Sequence, residues 1–68
     1  MKEYLVSFMG PDGWIYQIRV TSDVKPEAYL KARWTVNQAT HVDDLTFFRM
    51  EEGMLSSTGW VKYFDVSL

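Results

Sequence analysis

Cysteine is absent from these 68 residues, and histidine (one), proline (two) and glycine (four) are scarce. Without cysteine there is no disulfide, no thiolate metal site and no thiol nucleophile. Such a composition suits a reducing cytoplasm. No apolar run approaches the about 20 residues that span a bilayer. The opening MKEYLVSFMG is broken by Gly10 and Pro11, too early for a signal peptide. A surplus of positive charge is missing too: seven Lys and Arg stand against nine Asp and Glu, a net charge of -2. A nucleic-acid binder normally carries a basic patch, so the charge balance argues against a nucleic-acid partner. The expectation is one cytoplasmic domain over residues 1–68 with no membrane segment.

Catalytic motifs are also lacking. His41 has Asp43 and Asp44 behind it, but no further nitrogen or sulfur ligand for a metal and no nucleophile for a dyad. Glu51 and Glu52 are adjacent, so on a strand they point to opposite faces and form no acid/base pair. Ser56 to Gly59 offers hydroxyls without the glycine and lysine pattern of a phosphate loop. No catalytic residue, cofactor or metal is expected, and the chain reads as a non-enzyme.

What the sequence does have is one clear helix, Asp23 to Thr40. Asp23 or Ser22 is placed to cap it, Pro26 falls in its first turn, and Glu27 puts negative charge at the positive end of the dipole. At about 100° per residue, Ala28, Tyr29, Ala32, Val36 and Ala39 form one stripe, while Glu27, Lys31 and Gln38 lie roughly opposite. Leu30 and Trp34, spaced i,i+4, fall outside both sets on a shoulder with Arg33 and Asn37. That pair either folds over the sheet edge and completes the core or forms an exposed anchor, since Trp and Arg are enriched among binding hot spots.

Upstream, Glu3–Met9 and Trp14–Thr21 alternate as strands. Gly10-Pro11-Asp12-Gly13 between them is a turn with Gly13 in the left-handed position. This loop pairs Phe8 with Tyr16, Val6 with Ile18 and Tyr4 with Val20, and so gathers the large apolar side chains on one face. Downstream, Leu45–Glu51 and Trp60–Val66 read as two more strands with Glu52–Gly59 as a loop. Both faces of both strands are apolar, so the pattern leaves their core face open.

The fold class expected is α+β: a two-layer ββαββ domain, its four-stranded, largely antiparallel sheet ordered 2-1-3-4, with the helix packed on one face. One helix leaves apolar surface over. Met9, Ile15, one of Phe47 or Phe48 and one of Tyr63 or Phe64 would line the opposite face. A contiguous patch of that kind marks self-association or a partner. The candidate contacts are therefore Leu30, Arg33, Trp34 and Asn37 on the helix, and Met9, Ile15, Phe47 and Tyr63 on the sheet.

The hairpin followed by a helix carrying Glu27-Ala28, Leu30 or Lys31, Ala32 and Trp34 resembles the small phage early proteins that inhibit bacterial RNA polymerase. The likeness covers about the first two thirds of the chain. It implies a short, cysteine-free binder that occludes a host enzyme. The function expected is protein binding by steric occlusion, with homodimerisation a further possibility. A nucleic-acid-binding or nucleic-acid-mimicking domain is the alternative, suggested by aromatics on strands and an acidic second half.

Overall fold

A computed structural model describes residues 1–68. Four strands, β1 (Lys2–Met9), β2 (Ile15–Ser22), β3 (Thr46–Ser56) and β4 (Gly59–Val66), and one helix, α1 (Lys25–Thr40), follow the order ββαββ. The sheet is antiparallel throughout and ordered β2-β1-β3-β4.

The first hairpin has the register its alternation predicts, with Tyr4 opposite Val20, Val6 opposite Ile18 and Phe8 opposite Tyr16. Gly13 takes φ 84° at the turn. Asp12 braces it by accepting from the Trp14 backbone N–H (3.1 Å) and from the Tyr16 hydroxyl (3.2 Å). Trp14 lies just outside β2 and is exposed.

The start of α1 differs from expectation. Val24 is the N-cap residue and supplies no side-chain bond. Ser22 folds onto the backbone instead, donating to the Val24 carbonyl and accepting its N–H. At the other end His41 adopts φ 58° and donates its N–H to the Asn37 carbonyl at 2.8 Å. This left-handed residue closes the helix, as glycine commonly does.

Ala28, Ala32 and Val36 are buried, and Tyr29 is half-buried against Phe8 and Phe47. Ala39, expected in this stripe, is exposed, because the helix runs past the sheet before that position. With Tyr4, Val6, Phe8, Leu45 and Met50, the three buried helix residues make the core. A helix about 10 Å across spans roughly two strands set about 4.8 Å apart. Here those two are β2 and β1. The same side of β3 and β4 is left partly bare.

The second hairpin departs from the expected boundaries. Strand β3 runs on to Ser56, and only Ser57 and Thr58 form the turn. Met54 and Leu55, assigned to a loop from sequence, are strand residues opposite Val61 and Trp60. Two irregularities shift the register: Phe48 has no partner on β1, and the ladder to β4 slips between Glu52 and Gly53 so that Tyr63 is skipped. A slip of one residue exchanges the faces, so simple alternation over these strands fails.

Candidate protein-binding surface

On α1, Leu30 and Trp34 stand nearly opposite Ala28, Ala32 and Val36, at the crest rather than on a shoulder. They are 63% and 66% exposed. The core closes without them, so the expectation that they complete it gives way to the exposed alternative. Arg33 and Asn37 sit lower, towards the connection into β3. The Arg33 Nη1 donates to the Tyr29 hydroxyl at 3.0 Å and the Leu45 carbonyl at 3.1 Å. Asn37 donates through Nδ2 to the Val42 carbonyl at 3.0 Å and to Asp43. Both hold residues 42–45 against the helix, which makes Asn37 a structural residue first. A shallow, open depression around Trp34 is bordered by Arg19, Lys31 and Arg33, with no carboxylate in its lining.

The four sheet candidates do not come together. Met9 and Ile15 face each other at the end of the first hairpin. Phe47 is not on the outer face at all: it is half-buried on the helix side, edge-on to Phe8 and Tyr29 at centroid distances of 6.4 and 5.8 Å. The irregularity at Phe48 puts Phe47 opposite Phe8, on the core side. Tyr63 is exposed at the irregularity of β4, on the far edge of the sheet from β2.

The outer face is also less apolar than expected. Glu51 points there, opposite Leu5, and is 7% exposed. It accepts from the Trp60 indole Nε1 at 3.0 Å, and from Arg49 Nε at 3.1 Å and Nη2. The hydrogen bond from Arg49 to Glu51, then the carboxylate's charge, raise the guanidinium pKa above its ordinary value. Asp65 lies 4.0 Å from Arg49 and 3.5 Å from Lys62. Gln17 donates to Ser7 beside them. Sequence reasoning missed this cluster, because it needs Trp60 to lie across Gly53, and that contact follows from the slipped register.

A second apolar area escaped it as well. By register with Tyr4 and Val6, Phe64 and Val66 lie on the helix side, as do Met54 and Val61 beyond the slip. Met54, Val61 and Phe64 are exposed. The available signal was geometric: one helix is too narrow for four strands.

No helix is long and apolar enough to cross a membrane. Comparison with protein-family models, curated proteins and solved structures finds no match.

Proposed function

We propose that this chain is a protein-binding module whose contact surface is centred on Leu30 and Trp34. One observation carries the reading: two large apolar side chains crown the helix while the core is filled by others. An aromatic anchor ringed by polar groups is the usual anatomy of a binding hot spot. The mode of action is steric occlusion by a small rigid body, without chemistry of its own. The likeness to phage inhibitors makes a host enzyme in the cytoplasm the first kind of partner to try. The nucleic-acid alternative is disfavoured by the outer face, where Arg49 and Lys62 are engaged by Glu51 and Asp65 rather than free for phosphates.

The test is capture of partners from lysate of the source cells by the tagged chain, compared with its Trp34→Ala variant. A partner retained by the wild type and lost by the variant supports the reading. Equal capture by both, or none by either, argues against it.

A further inference from the structure

The cations beside Trp34 and Leu30 say what sort of partner fits. Arg33 is half-buried, and both of its hydrogen bonds leave from Nη1 to uncharged oxygens. Its Nη2 and Nε therefore remain available, and no polar side-chain atom in the chain is sealed away unpaired. The guanidinium is thus fixed in place by the Tyr29 hydroxyl and the Leu45 carbonyl while still presenting donors. A held guanidinium with free donors is preorganised for a carboxylate. Arg33 belongs to none of the ion pairs in the chain. Of the nearby carboxylates, Glu27 pairs with Lys31 at 2.9 Å and Asp43 accepts from the neutral Asn37 amide. Lys31 also donates to the Thr21 carbonyl at 3.1 Å. Arg33 therefore stands beside the apolar crest as a cation without an ion-pair partner, in a depression lined by no carboxylate.

We infer that the crest of α1 receives an acidic, amphipathic peptide segment of a partner protein. An apolar side chain of that segment packs against Leu30 and Trp34, and a carboxylate is taken by Arg33. A second copy docked crest to crest would set the two Arg33 side chains against one another, which opposes a symmetric dimer through this face. The inference rests on the crest being the contact surface, and adds the charge of what binds there.

The experiment selects a displayed library of random peptides, roughly 16 residues or about four helical turns long, on the wild-type chain. Counter-selection uses Trp34→Ala. The expected winners are rich in Asp and Glu alongside Leu, Phe or Trp. They should weaken about thirtyfold on Trp34→Ala, the size of a hot-spot loss. They should also weaken about thirtyfold on Arg33→Gln, the low end for truncating one partner of a hydrogen-bonded charge pair. Affinity should also fall as salt rises. Arg33→Lys keeps the charge but not the fork, so intermediate binding is expected, and circular dichroism of each variant separates lost contacts from lost fold. Trp34-dependent winners of neutral or basic composition would overturn the acidic-partner inference and leave the binding surface standing. The absence of any Trp34-dependent winner would overturn both.

Discussion

Gly53 offers the most demanding check on the second hairpin. It is buried on β3 beneath the Trp60 ring, at the point where the ladder to β4 slips. A Cβ built there would lie 2.1 Å from the Val61 carbonyl oxygen, 3.0 Å from its carbon and 2.9 Å from Trp60 Cζ2. Non-bonded carbon and oxygen settle at about 3.3 Å or more, so in Gly53→Ala the β4 backbone must retreat by about 1 Å. The indole has to shift with it, which threatens its bond to Glu51. Overpacking against backbone falls within the about 1–3 kcal/mol typical of such changes. About 2 kcal/mol corresponds to a fall of roughly 8–16 °C in Tm for a domain this small. It is also a sizeable share of the roughly 3–10 kcal/mol expected to hold 68 residues together. Thermal unfolding followed by circular dichroism reads the loss. Adding Trp60→Ala should not restore it, because the carbonyl contact remains. A Gly53→Ala midpoint within a degree or two of the wild type would refute the close approach and the slipped register behind it.

Two further perturbations test local features. His41→Gly relieves a left-handed residue at the end of α1, where a side chain costs about 1–2 kcal/mol, partly offset by the looser unfolded chain of glycine. The expected net gain is about 0.5–1 kcal/mol, a rise of roughly 2–8 °C in Tm; a fall would mean the imidazole contributes a contact of its own. For Tyr16, partial burial first, then the hydrogen bond to Asp12 and that carboxylate's charge, raise the phenol pKa above its ordinary value. A raised value favours the protonated form in the fold, so this stability is present below about pH 10 and lost as pH rises through the raised value. Unfolding midpoints from about pH 8 to about pH 11.5 should fall less steeply in Asp12→Asn than in the wild type; parallel curves would exclude the coupling.

The first hairpin was legible because three cues agreed: a Pro-Asp-Gly turn, strict alternation, and a register that gathered Tyr4, Val6 and Phe8 with Tyr16, Ile18 and Val20. The helix followed from its periodicity, and the strand order 2-1-3-4 is one of the arrangements that the connection rules allow. The second hairpin was not legible. Its strands are apolar on both faces, and the irregularities at Phe48 and Tyr63 change which residues share a face. That is why Phe47 was placed outward when it packs inward, and why Glu52–Gly59 looked like a loop. The crest residues were picked out by spacing, yet spacing alone left open whether Trp34 faced sheet or solvent. Tyr29 and the alanines decide it, because they fill the interface from the other side of the helix.

The account stands on the core being complete without the crest of α1. Unfolding of a Leu30→Ser/Trp34→Ser double variant tests this most directly. Surface changes typically move stability by no more than about 0.5 kcal/mol per site, so an exposed pair requires a total loss of no more than about 1 kcal/mol, or roughly 4–8 °C in Tm. A loss of about 3 kcal/mol or more, as when a large buried side chain is removed from a core, would place these residues inside the fold and contradict the binding surface.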